Sequence, residues 1–490
     1  MGVSFTGQLM KNIPVVVGIA DIQQKGKFED LDEALLLMDR ATKAAIKDSS
    51  KEIIKYIDEI RTPKGFWAYR DPGKWVAKNN NFKSNPKTYV NKIGVLQQSL
   101  FNEAIKNIQN GKINASLIIG GESRYKLIKS FIENRHYQEK PLIENPDFYI
   151  KSDSDLHLDE EVEQLSKMAV GYYAIIENAY RHRKKINIHD HKHSLANLYK
   201  EFSEIAANNK YGWSDIIYKS ADIKITSVKN KYQAFPYNKH HCTSWNVNQA
   251  SATIICNESI ADKLSIPINK RVYPVASSEN NAMTALIQRP NLSSCIGMNL
   301  AADFIQKIVK KNKQAINFYD LYSCFPVAIE MFAESLQIPL NKSCTITGGM
   351  SFAGGPLNHY VLTSTNQLIR KLRAMPEKIG LITGVSGVMT KQSYALWSGK
   401  FIQDFSFKDV TNEVIEIEKP INLSNKSSGI AKIISYTIIE EKINCKKAII
   451  YGEINKERII LSTNNKKIIK DMEINEWIGK EVKFTDRSLV

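Results

Sequence analysis

No cysteine precedes Cys242 in this chain of 490 residues, and the six cysteines present (Cys242, Cys256, Cys295, Cys324, Cys344 and Cys445) form no CxxC pair. That scatter offers neither a zinc-ribbon ligand set nor a disulfide framework, and it suits a reducing cytoplasm. An uninterrupted apolar run of about 18 residues is also missing, so no membrane-spanning helix is expected. The opening stretch MGVSFTGQLMKNIPVVVG lacks the charged segment, apolar core and small-residue cleavage site of a signal peptide. Histidine is scarce, with nine in all, yet three alternate in RHRKKINIHDHKH (181–193) as His189, His191 and His193. A helical context and the lack of a carboxylate cluster beyond Asp190 make that run a solvated basic face, and no metal site is expected.

What is present is ordinary for a globular chain: 43% hydrophobic residues and a formal net charge of +16. Lys, Asn and Ile are abundant throughout, and the excess of positive charge lies almost wholly in the first 400 residues. Short apolar runs that end in glycine alternate with helical stripes. IPVVVGIAD (13–21), INASLIIGGE (113–122), SATIIC (251–256), RVYPVASSE (271–279) and KIGLITGVSG (378–387) read as strands buried on both faces. Ala34, Leu37, Met38 and Ala41 share one helix face, as do Ala301, Phe304, Ile305 and Ile308. The pattern predicts an α/β chain of two layered halves joined near residue 265. A polar stretch of about 120 residues between the strands near 120 and 250 is too long for a structureless loop and should fold as a subdomain. From about 405, strand-like runs broken by Glu, Lys, Asn and Gly turns predict a small β domain of the barrel kind. Its near-balanced charge and few aromatics argue against nucleic acid.

The glycine-rich TGGMSFAGGPLNHY (347–360) suits neither helix nor strand. Glycine at this density lets a backbone take positive φ or approach a ligand closely. Asn358, His359 and Tyr360 follow it, either lining a pocket or, with Asn358 as a cap, opening a helix. Cys324 is a nucleophile paired with His359, or a buried small hydrophobe.

Together PVVVGIAD, GFWAYRDPG (65–73), QAFPYNKHHCTSWNVNQASA (233–252), DLYSCFPVAIEM (320–331), GGMSFAGGPLNHYV (348–361) and GLITGVSGVMTK (380–391) resemble, in order, the thiolase superfamily. The resemblance is to the sterol-carrier-protein thiolase branch with an additional C-terminal domain, and it spans nearly the whole chain. It implies a thiolase-like αβαβα layered fold: an N-terminal half at 12–265 with a loop-domain insertion at about 123–245, a C-terminal half at 266–403, and an additional β-rich domain at 404–490. It further implies an acyltransferase-type site that handles CoA thioesters in lipid metabolism. Such chemistry needs a thiolate nucleophile, a second base and oxyanion donors.

At the positions that supply these groups in the family, this chain carries Gly94, Tyr322 with Ser323, Gly355 and Val385. Classical carbon–carbon bond chemistry is therefore not expected, whereas binding of CoA or an acyl-CoA is, with no covalently bound cofactor. Gly354, Gly355, Asn358, Tyr322 and Gly387 are the expected substrate-binding positions, and His359 and Cys324 the residual catalytic candidates. By the same resemblance, Arg181, Arg183, Lys184 and Lys185 of the insertion would hold the CoA phosphates. The alternative is a non-catalytic partner subunit of an acyl-CoA-handling complex, docked through the C-terminal domain. The sequence leaves monomer and homodimer both open.

Overall fold

The computed structural model describes residues 12–152, 156–442 and 445–490. Residues 1–11, on which the reading of the N-terminus partly rests, lie outside it. Among the described residues no helix is long and apolar enough to cross a membrane.

Two sheets share one plan. In the first, the strand Pro14–Gln23 runs antiparallel to Asn248–Asn257, which runs antiparallel to Ala115–Ser123, which is parallel to Ile57–Pro63. In the second, Tyr273–Asn280 runs antiparallel to Lys391–Ser398, which runs antiparallel to Ile379–Ser386, which is parallel to Ile316–Asp320. The internal repeat read from the alternating strands is thus present in three dimensions. The predicted strands are buried on both faces because helices cover both sides. Ala34–Asp48, with Ala34, Leu37, Met38 and Ala41 fully buried, covers the outer face of the first sheet, and Ile296–Lys311 covers that of the second. Between the sheets lie Gln97–Gln109 and Tyr360–Ala374, each touching both. The architecture is the five-layer αβαβα arrangement. A bridge between Val16 and Val272 joins the two sheets at their first strands.

The insertion is helical, as Ala169–Arg183 and Ile188–Ala207 show. Leu195, Leu198 and Phe202 face inward as their spacing predicts, and Ile205 is half-buried. The C-terminal domain is a closed barrel. Ser428–Lys442 pairs with Cys445–Ile454, then Glu457–Thr463, then in parallel with Ser488–Leu489, then Glu481–Thr485, which returns to Ser428–Lys442. With the helix Lys466–Met472 between its third and fourth strands, this is the order of an OB barrel. Closure leaves no long sheet edge. One barrel wall is covered by the chain's own insertion: Ser435 Oγ donates to Ile175 O at 2.6 Å, Asn178 Nδ2 to Tyr436 O at 2.9 Å and Tyr451 Oη to Glu161 Oε1 at 2.8 Å.

Candidate functional site

The two central helices begin side by side. Gln97, the first residue of one, accepts through Oε1 a hydrogen bond from Val361 N of the other at 2.7 Å. Around these helix starts gather the loops singled out in the sequence. Gly94 lies just before the first helix in a left-handed conformation, with φ of 104°. A Cβ there would meet only Ser152 Cβ, at 3.6 Å.

A buried carboxylate holds the glycine loop. Asp320 Oδ1 accepts from Thr345 Oγ1 (2.7 Å), Ile346 N (3.0 Å), Thr347 N (3.2 Å) and Thr347 Oγ1 (3.0 Å). Its Oδ2 accepts from Tyr360 Oη (3.0 Å) and Ser364 Oγ (2.6 Å). One side chain at the end of a strand thereby fixes both the loop and the helix after it. Each of these buried donors would be costly to leave unpaired. Ser323 Oγ adds a bond from Met350 N at 2.9 Å. Asp320 was not singled out from the sequence; its position at the C-terminal end of a strand, directly before the YSCF loop, is the signal that marks it.

The glycines serve close packing more than ligand contact. Gly355 donates its N–H to Ser244 O at 2.9 Å, so it is not free to face a thioester oxygen, contrary to expectation. A Cβ at Gly355 would fall 2.1 Å from Thr243 Cγ2 and 3.2 Å from Met350, leaving no room for an imidazole. A Cβ at Gly354, whose φ is 96°, would fall 2.4 Å from Gln249 Oε1. The insertion segment thus wedges Thr243 into the space that a side chain at position 355 would need.

The catalytic candidates are enclosed. His359 is 2% exposed, stands at the N-cap of the helix without capping it through its side chain, and lies against Gly120. Burial pushes its pKa down to about 3, and Nε2 meets no partner. Asn358 is buried too, with its Nδ2 unpaired, and because His359 holds the N-cap position the capping alternative fails. Cys324 is 8% exposed, with its thiol pushed up to about 12 by burial. It is not paired with His359; the neighbours that act on it include Tyr173 and Cys242. Tyr322 packs edge-on against Tyr360, its ring centroid 5.8 Å away, and donates its N–H to Thr383 Oγ1. Val385 is buried in its strand.

The basic run is committed to the chain itself. Arg181 is buried and pairs with Glu476 of the barrel at 2.8 Å. Arg183 forks onto Glu334 at 3.0 and 2.6 Å, and Lys184 reaches the same carboxylate at 2.9 Å. Only Lys185 is exposed without such a partner, so these residues do not form the free phosphate cradle expected. The solvated-face reading also fails for His191, which is 1% exposed and bonds Glu177 Oε1 at 2.6 Å. His189 and His193 do face solvent.

A cavity of about 520 Å³ opens beside Met389, Thr390 and Lys391, and Gly387, an expected binding position, does not line it. Its wall includes Met283, Leu292, Met331, Met389, Val414 and Ile415 among apolar residues, and Ser152, Arg289, Cys295, Lys391 and Glu418 among polar ones. Neither Tyr322, Cys324, Gly355 nor His359 lines it. Ser152, the residue facing Gly94, links the two regions, accepting from Lys391 Nζ at 2.9 Å. Arg289 donates only to carbonyls, those of Thr284 (3.2 Å) and Gly387 (3.3 Å), and no described carboxylate lies within ion-pair distance of it. Gly387, Val388 and Met389 take φ of 60°, 51° and 62° in succession. A β-branched residue there is strained, and such strain clusters at ligand sites. The cavity, Arg289 and Cys295 were not identified from the sequence, because residues 280–295 carry no motif and meet the 387–391 turn only through folding.

Comparison with solved structures gives the fold. The chain superposes on the monomeric SCP2-thiolase-like protein type 1 of Mycobacterium smegmatis with a TM-score of 0.80 and 19% identity, covering 98% of this chain and 99% of that one. The chain has a thiolase fold. An Ltp2–ChsH2(DUF35) aldolase aligns at TM-score 0.60 and 13% identity over 80% of this chain and all of that one. The Acat5 thiolase of Ascaris suum, solved in complex with coenzyme A, aligns at 0.52 and 12% over 79% of this chain and 99% of that one. No family model and no curated protein matches the sequence.

Proposed function

We propose that this thiolase-fold protein binds CoA or an acyl-CoA thioester without making or breaking carbon–carbon bonds. The observation that carries the reading is the filled histidine position. Gly355 has Thr243 against it, and no cysteine stands anywhere before residue 242 to hold an acyl group. Thiolase chemistry needs both.

Binding is a separate matter from turnover. The cavity beside Met389 has a volume within the range of small-molecule pockets, an apolar wall rich in methionine, and a guanidinium with no carboxylate in ion-pair contact, though Glu418 of the same wall acts on it through space. An acyl chain suits the wall, and the anionic or carbonyl end of the ligand suits Arg289. The CoA-complexed thiolase among the structural neighbours supports the ligand class. A Cys324–His359 acyl transfer has no support from the geometry, since the two side chains are buried apart.

Calorimetric titration of the full chain with CoA, acetyl-CoA and a longer acyl-CoA tests the reading. Saturable binding that weakens about tenfold or more in Arg289→Met is expected, the scale of one charged hydrogen bond. Absence of binding by all three would overturn it and favour the partner-subunit alternative.

A further inference from the structure

Away from that cavity, the insertion meets the C-terminal half through a group of ionisable side chains. Glu177 comes from Ala169–Arg183, His191 from Ile188–Ala207, and Glu330 from Pro326–Leu336. All three are at least nine-tenths buried, at 0%, 1% and 5% exposure. One nitrogen or oxygen of each lies within 4.8 Å of the others. His191 Nε2 and Glu177 Oε1 are 2.6 Å apart, and Tyr237 Oη donates to Glu177 Oε2 at 2.5 Å. Glu330 Oε2 has no hydrogen-bond partner although it is wholly buried.

Two carboxylates enclosed together cannot both remain charged and unpaired. Glu177 is bonded by His191 and Tyr237, so either Glu330 holds a proton, shared with Glu177, or a cation lies among the three. Three features favour the cation. The donors come from three separate helices rather than one acidic surface. An imidazole joins the carboxylates, the mixed nitrogen and oxygen set that divalent transition metals take. The unpartnered Glu330 oxygen supplies a free ligand position. We propose that Glu177, His191 and Glu330 bind one divalent transition metal ion of the zinc class, with Tyr237 beside it. The ion would be structural: it would pin the two insertion helices to the helix of the C-terminal half. Tetrahedral bonds of about 2.0–2.2 Å set ligand atoms roughly 3.4 Å apart, so the His191–Glu177 contact opens by less than about 1 Å on binding. The other ring nitrogen, Nδ1, meets no partner with or without metal, and does not distinguish the alternatives.

Metal content of the purified full chain, measured by plasma mass spectrometry before and after exposure to excess Zn²⁺, Mn²⁺ or Fe²⁺ and desalting, tests this without any variant. About one ion per chain is expected, with a fall in melting temperature on chelation that added metal reverses. Glu330→Gln, nearly isosteric, should lose the ion while keeping its circular-dichroism spectrum. A folded wild-type protein that holds well under one-tenth of an ion per chain after every loading would overturn the proposal, as would a Glu330→Gln variant that keeps its metal. In the first case Glu177 and Glu330 share a proton instead, and in the second the ion is held elsewhere in the chain.

Discussion

Thr243 Cγ2 occupies the space that the Cβ of any side chain at position 355 would need, 2.1 Å from that ideal position. Thr243 is held there by its Oγ1, which donates to Cys324 O at 3.0 Å. This one contact explains why a glycine stands at position 355, and it ties the insertion to the glycine loop.

Overpacking at this contact has a measurable cost. Gly355→Ala should destabilise the protein by about 1–3 kcal/mol in denaturant unfolding. Thr243→Ser, which removes the clashing methyl and keeps the hydroxyl, should recover most of that loss when combined with it. A double-mutant cycle showing no coupling would contradict the wedge.

Restoring the missing sulfur should not restore chemistry. A side chain at position 94 has room, since only Ser152 Cβ comes near, but the positive φ costs about 1–3 kcal/mol. Gly94→Cys should therefore fold with reduced stability and react with a thiol reagent. It should still show no CoA-dependent cleavage of acetoacetyl-CoA, because position 355 carries no imidazole and Thr243 fills the space for one.

Thiol reactivity reports the enclosure of the candidates. Cys445 is exposed, Cys242 and Cys295 are half-buried, and Cys256, Cys324 and Cys344 are buried. Alkylation followed by peptide mass spectrometry should label Cys445 first and Cys324 only on unfolding. Burial also pushes the Cys324 thiol up to about 12, away from the reactive thiolate. Rapid labelling of Cys324 in the native protein would show that the loop opens.

His359 should make the fold acid-sensitive. Burial depresses its pKa to about 3, against about 6.5 in the unfolded chain. Between those values the unfolded state binds a proton that the native state refuses, so stability is full above about pH 6.5 and falls as the pH drops toward 3. The slope from this residue is at most about 1.4 kcal/mol per pH unit. His359→Gln should flatten the profile of unfolding free energy between pH 7 and 4 relative to wild type; identical profiles would mean that the imidazole is reached by water in the native state.

The sequence made the layers legible where the chain is locally consistent. Apolar runs such as 115–119 end in glycine, and Ala34, Leu37, Met38 and Ala41 repeat at helical spacing, so each element announces its own buried face. What stayed hidden depends on contacts between distant segments. Thr243 against Gly355, Arg289 against Gly387 and Tyr232–Ala234 joining the barrel strand at Ile439 have no local signature. His191 and Arg181 look like members of a solvated basic run, yet helix geometry turns them inward while their neighbours His189 and Lys185 face water.

The central claim is that the thiolase fold persists here without thiolase chemistry, and the direct test is chromatographic detection of acetyl-CoA formed from acetoacetyl-CoA and CoA by the pure protein. The account predicts formation no faster than in a protein-free blank. Protein-dependent acetyl-CoA production that is lost in Cys324→Ala or His359→Gln would contradict it.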